Sequence, residues 1–217
     1  MKDHFAALRN IYPAATEDQF QIIQKYIDLL ISWNRKVNLI SRKDMDFLWE
    51  HHIFPSVVLL NLIEIKKGAM LLDIGSGGGM PAIPIKSLRP DLEFILVESI
   101  RKKSLFLKQV FGELSMIGIS VANTRIEQLI SISGYQKKYD FITTRAVASV
   151  QQLYRWGAPF LKSNGKHILW KGSQDIPELE NFSIHFKTGY KILEVPSTMQ
   201  SISSKFEELR IFVLENN

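Results

Sequence analysis

The chain has 217 residues, 46% of them hydrophobic and 23% charged, and 27 Lys and Arg against 22 Asp and Glu give a net charge of +5. This length suits one globular domain with a small additional lobe, and the mild basic excess permits a nucleic-acid partner without requiring one. No cysteine is present, which excludes disulfides, thiolate catalysis and cysteine-ligated metal centres. The N-terminus lacks a signal-peptide core and no apolar run reaches membrane-spanning length, so we expect a cytoplasmic protein without a membrane partner.

The first part of the chain predicts a helical region. Residues 16–34 place apolar side chains at helical spacing on one face, and they begin with residues that fit a capping box. A second helical stretch is predicted over about 43–63, with Pro55 as a break or a kink. We expect residues 1–66 to pack as a helical extension on a core formed by residues 67–217.

The hydrophobic pattern of the sequence changes after residue 68, where short apolar runs alternate with helical segments. Strands are predicted at 70–74, 93–98, 119–122, 139–143, 166–170, 190–195 and 209–214. Helices are predicted at about 81–88, 101–115, 125–131 and 149–161. Apolar strands that alternate with helices are typical of a parallel sheet covered on both faces. The last two strands have no long helix between them and could pair as an antiparallel edge. The pattern predicts an α/β fold with a doubly wound, mostly parallel seven-stranded sheet.

The most informative stretch is the glycine-rich segment after the first predicted strand. Gly75, Gly77 and Gly79 follow Asp73 at the spacing D-x-G-x-G-x-G, which is the pattern of S-adenosylmethionine (SAM) methyltransferases. Glycines at this strand-to-helix turn let the backbone pass close to a ligand, and Glu98, at the end of the second strand, can accept hydrogen bonds from ribose hydroxyls. The loop and Glu98 together predict an adenosine-bearing cofactor.

Two other functions stay open on these residues. A Rossmann-type NAD-binding oxidoreductase is disfavoured because a G-x-G-x-x-G frame that starts at Gly75 ends on Met80. A non-catalytic nucleotide- or RNA-binding module would use the same loop for assembly alone. The phosphate-binding form G-x-x-x-x-G-K-[ST] is absent from this loop.

Several segments together form a more specific pattern than the glycines alone. They are WNRKVNLIS (33–41), HHIFPSV (51–57), DIGSGGGMPAIPI (73–85), VESIRKKSLFLKQV (97–110), TRIEQL (124–129), TTRAVASV (143–150) and WKG (170–172). In these segments the chain resembles, nearly end to end, the RsmG (GidB) family of bacterial guanine-N7 methyltransferases of 16S ribosomal RNA. It departs from the family mildly, with Glu98 where Asp is commoner and Ala82 where Gly is commoner. The resemblance implies a class I SAM-dependent methyltransferase with a Rossmann-like sheet.

The resemblance also implies which residues contact the cofactor. The candidate SAM-binding residues are Gly75, Met80, Ile126, Glu127 and Arg145 from the resemblance, and Glu98 from the ribose argument. On the residues alone, a surface arginine in an ion pair is the commoner interpretation of Arg145. On the same basis, Glu127 is an acid in the first turn of a helix.

The chemistry implied by the resemblance needs few side chains. Guanine N7 carries a lone pair and no proton, so its methylation requires no general base, and we predict no catalytic residue. His51 and His52 are adjacent and lack metal-ligand spacing, so we predict no metal site. The implied partner is 16S rRNA or the small-subunit particle, bound by a monomer. Phosphate contacts are expected from the basic residues Arg35, Lys36, Arg42, Lys43, Arg101, Lys102 and Lys103.

Overall fold

The computed structural model describes residues 3–145 and 148–216. Ala146 and Val147, which belong to the predicted segment 143–150, lie outside the described residues, as do residues 1, 2 and 217. Within the described ranges, no helix combines the length and the apolar character that a membrane crossing requires.

Seven strands of the described chain form one sheet. They are β1 (Met70–Ile74), β2 (Glu93–Val97), β3 (Ile119–Ala122), β4 (Tyr139–Arg145), β5 (Leu161–Gly172), β6 (Tyr190–Glu194) and β7 (Leu209–Glu215). Their order is β3-β2-β1-β4-β5-β7-β6, with β1 to β5 parallel and β7 antiparallel to both of its neighbours. The doubly wound, mostly parallel seven-stranded sheet is confirmed, and so is the antiparallel pairing of the last two strands. The strand order reverses between β1 and β4, and ligands of such sheets bind at the carboxyl ends of the strands near this point.

The helices cover both faces of this sheet. The α-helices of the described residues are α1 (His4–Ile11), α2 (Glu17–Asn34), α3 (Phe54–Val57), α4 (Leu59–Leu62), α5 (Ala82–Leu88), α6 (Arg101–Glu113), α7 (Ile126–Leu129), α8 (Val150–Gly157) and α9 (Ile176–Phe186). In β1, Leu71 packs with the N-terminal helices, α5 and α6, whereas Leu72 packs with α7. In β7, Ile211 joins the first layer and Phe212 packs with α8 and α9. Because neighbouring strand residues point to opposite faces, this two-sided burial explains strands that are apolar throughout.

The N-terminal helices share one apolar cluster with the sheet and its first helices. Ile23 and Leu30 of α2 lie in the same buried cluster as Ile83 and Leu107. The Gln19 side-chain amide also donates a 2.9 Å hydrogen bond to the carbonyl of Leu88, at the end of α5. These contacts bring α2 against the two helices that flank the glycine loop.

The predicted helix over 43–63 is irregular before its proline. A 3₁₀ helix spans Arg42–Phe47 and a π-helical turn spans Trp49–Ile53, which we call the π-turn, before α3 begins at Phe54. The N–H of Phe54 donates five residues back, to the carbonyl of Trp49. Pro55 has no N–H to donate to the carbonyl four residues before it, that of His51, so the regular α-helical ladder cannot continue through this point.

Other element boundaries differ from the sequence prediction. α1 and α9 were not predicted, and the helix predicted over 125–131 is the single turn α7. β4 and β5 are longer than predicted, so Arg145 is the last residue of β4 and pairs in register with Trp170. Glu98 directly follows β2.

A histidine without a polar partner lies inside the sheet. His167 of β5 is fully buried against Tyr154, with ring centroids 4.9 Å apart, and neither ring nitrogen has a hydrogen-bond partner among the described residues. Burial lowers the pKa of His167 to about 3. The folded protein therefore keeps this ring neutral at pH values where the unfolded chain protonates it.

We predict that His167 makes the protein sensitive to acid. The folded-state pKa lies below the unfolded value, so the stability contribution is complete above about pH 6.5 and falls as the pH drops, by about 1.4 kcal/mol per pH unit while only the unfolded state binds the proton. His167→Leu is expected to flatten the pH dependence of the free energy of unfolding between pH 6 and 4, measured by urea denaturation. His185→Leu, at an exposed histidine of α9, is the control and should retain the wild-type slope. Equal slopes in all three proteins would contradict the prediction.

Candidate active site

The glycine loop leaves β1 at the carboxyl edge of the sheet. Gly75, Gly77 and Gly79 have φ angles of 71°, 52° and 96°, which favour glycine. A Cβ at Gly79 would collide with the Ile83 side chain, whereas a Cβ at Gly77 would meet nothing closer than the Gly75 carbonyl, 3.9 Å away. Gly79 is therefore required by packing, while Gly77 leaves open space above the backbone where a ligand can approach.

Glu98 holds the loop from the β2 side. Its Oε2 accepts a 2.9 Å hydrogen bond from the N–H of Gly77, and its Oε1 accepts a 2.7 Å bond from the N–H of Ile100, just before α6. The side chain is 5% exposed. Each carboxylate oxygen has a second lone pair, so Glu98 fixes the loop and keeps acceptor capacity for a ligand hydroxyl.

Asp73 lies buried beneath the loop, at 1% exposure. Its Oδ1 accepts a 2.7 Å hydrogen bond from the Thr143 hydroxyl of β4, while Oδ2 has no partner among the described residues. Burial raises the pKa of Asp73 to about 7, although hydrogen bonds to the carboxylate oppose the rise. A buried carboxylate with one unused oxygen is a site where a cationic ligand group would be stabilised.

The N-terminal region holds the loop from the other side. The Tyr26 hydroxyl of α2 donates a 2.5 Å hydrogen bond to the carbonyl of Gly78. Met80 is buried, and the Ser56 hydroxyl of α3 lies 3.8 Å from its sulfur. Burial raises the pKa of Tyr26, the charge of Arg145 opposes this, and that of Asp73 adds to it. Tyr26 is thus close to both the loop and the end of β4.

The other predicted cofactor residues lie on both sides of this crevice. Ile126, the first residue of α7, is buried with Ile74 and Val97, at the ends of β1 and β2. Glu127 points outward and is exposed. Gly75, Glu98 and Ile126 lie together at the carboxyl edge of the sheet. Arg145 lies at the same edge, at the end of β4, which is on the other side of β1.

Arg145 binds the backbone of the π-turn. Its Nη2 donates a 2.6 Å hydrogen bond to the carbonyl of His51, and Nη1 lies 3.4 Å from the carbonyl of His52. No ion pair with a carboxylate is found for it among the described residues. Burial lowers the pKa of Arg145 to about 10, and the charge of Asp44 opposes the shift. The interpretation of Arg145 as a surface residue in an ion pair is therefore wrong. Its guanidinium donates to the carbonyl of His51, which cannot accept a hydrogen bond from Pro55.

Further side chains of the core bind the same irregular segment. The Trp170 indole of β5 donates a 2.6 Å hydrogen bond to the carbonyl of Pro55, and the Ser203 hydroxyl donates to that of Glu50. The π-turn and the start of α3 are thus fixed by residues from three distant parts of the chain.

A cleft of about 670 Å³ opens beside the π-turn. This volume falls within the range of about 300–1,000 Å³ that ligand pockets occupy. The polar and aromatic side chains that line it include Asp44, His51, His52, Arg145, Trp170 and Lys171. Because Arg145 ends β4 and pairs in register with Trp170, near the end of β5, the cleft lies at the same edge of the sheet as the glycine loop.

Asp44 lies between two histidines in this cleft. Its Oδ1 lies 2.7 Å from His51 Nδ1, and its Oδ2 lies 3.6 Å from His52 Nε2. Burial alone would raise the pKa of Asp44, but the His51 hydrogen bond and the neighbouring positive charges outweigh it and hold the pKa below its usual value. Burial, followed by the charge of Arg145, lowers the pKa of His52 to about 4. At neutral pH the cleft therefore contains an ionised carboxylate and a neutral imidazole.

A second cleft, of about 770 Å³, lies at the amino-terminal edge of the sheet around Ala69, Asp140 and Lys166. Ligands of doubly wound sheets bind at the carboxyl edge, so the larger volume does not make it the active site.

Several side chains of the site were not predicted from the sequence. Tyr26 lies in the apolar stripe of α2. Its hydroxyl is the feature of this stripe that could have indicated a specific hydrogen-bond partner. Thr143 lies on a predicted strand, and its pairing with Asp73 depends on the register of β1 against β4. No pattern in the sequence indicates a role for Asp44. The predicted helix breaks at Pro55, whereas the irregular segment that orients Asp44 begins before the proline.

The strand order, the glycine loop after β1 and the carboxylate after β2 define a class I SAM-dependent methyltransferase fold. The chain is similar to a SAM-dependent methyltransferase from Aquifex aeolicus, with a TM-score of 0.57 and 11% identity, over 74% of this chain and 88% of that one. It is also similar to a ribosomal protein L11 methylase from Lactobacillus delbrueckii, with a TM-score of 0.54 and 13% identity, over 70% of this chain and 72% of that one. At these identities the likeness shows the fold.

Sequence relatives define the family. Residues 19–205 match the GidB family, described as rRNA small subunit methyltransferase G. A protein named ribosomal RNA small subunit methyltransferase G from Christiangramia forsetii is 37% identical over 149 residues, 69% of this chain and 68% of that one. The protein of the same name from Streptococcus pneumoniae is 31% identical over 203 residues, 93% of this chain and 80% of that one. The chain belongs to this family, and the predicted resemblance is confirmed.

We predict that Arg145 and Pro55 are coupled through the carbonyl of His51. Arg145→Ala removes a donor from a partly buried carbonyl and is expected to cost about 1–3 kcal/mol of stability. Pro55→Ala restores an N–H that can donate to the same carbonyl, so in the Arg145→Ala background it should recover about 0.5–1.5 kcal/mol. The free energies of unfolding of the wild type, both single variants and the double variant form the cycle. Additive effects would show that the two residues do not share this carbonyl.

Proposed function

We propose that the protein transfers the methyl group of SAM to N7 of one guanine in the 16S rRNA of the small ribosomal subunit. The observation that carries the proposal is membership of the rRNA small subunit methyltransferase G family. The open space above Gly77 and the unused oxygen of buried Asp73 support it, because they provide room and charge for SAM at the expected strand ends. The NAD-dependent oxidoreductase and the non-catalytic module are not retained.

The residues present fit SAM part by part. Glu98 has acceptor capacity for the ribose hydroxyls, and Asp73 carries the negative charge that the methionine ammonium requires. Ile126 offers an apolar surface for adenine, beside the exposed Glu127. Met80 lies against Ser56 in the wall between the loop and α3. Gly75 completes the proposed set, since its N–H is bound to the carbonyl of Val97 and its lack of a side chain keeps the crevice open.

Catalysis of this reaction depends on the alignment of the reacting groups and requires no proton transfer by the protein. SAM, held by Glu98, Asp73 and the glycine loop, would supply an electrophilic methyl group to the N7 lone pair, and no proton would have to move. The chain accordingly needs no general base, and we assign none. Its contribution is to hold the loop rigidly through Glu98 and Tyr26 and to exclude water from the reacting atoms.

RNA phosphates would meet a basic surface around this edge. Arg101 and Lys102 are exposed at the start of α6, directly after the strand that carries Glu98. Arg35, Lys36, Arg42 and Lys43 are also exposed, between α2 and the π-turn. Phosphate contacts of this type give salt-dependent affinity and orient the nucleic acid. The substrate, free 16S rRNA or the small-subunit particle, meets a monomer in this proposal.

The proposal is tested with a bulky substitution in the glycine loop. Gly77→Val places a branched side chain in the open space and should abolish SAM binding and rRNA methylation. Gly68→Val is the matched control, because Gly68 lies at the other end of β1, has a φ of 72° and is also open around its Cβ. Both substitutions should cost about 1–2 kcal/mol or more through backbone strain, but only the first should affect binding. Calorimetry with SAM and mass mapping of methylated guanines in 16S rRNA give the two readouts. Wild-type protein that leaves the rRNA unmethylated would overturn the function, and SAM binding by Gly77→Val would overturn the site.

Asp73 should make SAM binding depend on pH. An ammonium group favours the ionised carboxylate, so binding should release a proton from a group whose pKa in the free protein is about 7. The affinity is therefore expected to rise with pH between 5.5 and 7, by up to about tenfold per unit, and to level off above. Asp73→Asn should bind SAM more weakly and lose this dependence. Calorimetry in buffers of different ionisation enthalpy measures the number of protons released on binding. If the wild type released no proton, the assignment of Asp73 to the ammonium group would be contradicted.

A further inference from the structure

The cleft beside the π-turn adjoins the cofactor crevice on the other side of β1. Arg145 lines the cleft and follows Thr144, which pairs in register with Ile74, the residue before Gly75. A molecule in the cleft would therefore lie next to the crevice assigned to SAM. This placement is what a methyl acceptor needs, because the two reacting atoms must come within about 3–3.5 Å of each other.

The chemistry of the cleft fits a base displaced from its stack. Asp44, His51 and Arg145 line the cleft with hydrogen-bonding groups that the edge of a base can meet, while Trp170, at 4% exposure, lies in its wall. The N7 edge of a paired base lies in the deep, narrow groove of an RNA helix, which side chains reach poorly. A guanine must therefore leave its helix, or lie in a loop, before its N7 can approach the methyl donor.

We propose that this cleft holds the target guanine and that the carboxylate of Asp44 recognises it by accepting hydrogen bonds from N1–H and the N2 amino group. The inference rests on the proposed function and adds the residue that selects the base. Guanine presents two adjacent donors on this edge, whereas adenine presents an acceptor at N1. N7 lies on the other ring of the purine and stays free for methylation.

Asp44 is better placed for this role than the other acids near the cleft. Asp44 contacts His51 and His52, whose carbonyls bind Arg145. Asp175 instead binds the N–H of Gly172, two residues past the β5 partner of Arg145, and Glu208 is exposed. Asp44 is bound by His51 through Oδ1, while its Oδ2 has only the 3.6 Å approach of His52. One oxygen is thus anchored, and the carboxylate retains lone pairs for two donors.

The same carboxylate would assist the reaction. Methylation at N7 leaves the purine positively charged, so the attraction of an ionised Asp44 grows as the new bond forms. An interaction that is stronger in the transition state than in the ground state raises the rate. Asp44 would then select guanine and stabilise the developing charge with one group.

The decisive experiment varies the carboxylate and the amino group together. The target guanine is first mapped, and small-subunit RNA is then assembled with either guanine or inosine, which lacks the N2 amino group, at that position. Single-turnover methyl transfer by the wild type should be about tenfold or more slower with inosine, since a charge-assisted hydrogen bond is lost. Asp44→Asn should be slower with guanine and should show a guanine-to-inosine ratio near one.

Control variants separate recognition from structural damage. Asp46→Asn, at an exposed aspartate of the same 3₁₀ helix outside the cleft, should match the wild type with both RNAs. Asp44→Glu keeps the carboxylate and should keep the preference for guanine even if its rate falls. SAM affinity should be unchanged in all three. A full guanine-to-inosine ratio in Asp44→Asn, or no preference in the wild type, would overturn the inference while leaving the proposed function intact. Failure of the wild type to methylate any RNA would instead remove the proposed function itself.

Discussion

The arrangement of the candidate active site depends on a proline that cannot donate a hydrogen bond. Because Pro55 lacks an N–H, the helical segment before it forms a π-turn, and the carbonyl of His51 accepts a 2.6 Å hydrogen bond from Arg145. That bond joins the N-terminal region to the end of β4. Trp170 and Ser203 reinforce the connection on neighbouring carbonyls. Irregular helical turns are frequent at functional sites because they redirect side chains, and here the turn sets His51 and His52 around Asp44.

The glycine loop is held by two side chains that are far apart in the sequence. Glu98 binds it from the second strand and Tyr26 from the long N-terminal helix, 52 residues before Gly78. A loop with three left-handed glycines loses much conformational entropy on folding. Two side-chain hydrogen bonds from opposite directions offset that cost and leave the loop preorganised. The N-terminal region thus forms part of the crevice proposed to bind SAM, in addition to covering one face of the sheet.

Much of the fold was predictable because it follows from local patterns. The seven apolar strands, the capped helix over 16–34 and the glycine loop each have a signature within a short window, and all three are present. What could not be predicted depends on register and on long-range pairing. The bond between Thr143 and Asp73 follows from the alignment of β1 with β4, and the partner of Arg145 depends on a broken helix about 90 residues away. Asp44 went unnoticed for the same reason, since its surroundings exist only in the folded chain.

The position of β7 in the sheet has a consequence for how the cleft forms. β7 follows β6 in sequence yet lies between β5 and β6, and the segment just before it supplies Ser203 and the cleft residue Lys205. The cleft cannot close its wall until this segment has docked against residues about 150 positions earlier. Contacts between residues so far apart in sequence form late in folding. The cleft is therefore complete only when the whole domain has folded, and a fragment that contains the glycine loop without β7 would lack this wall.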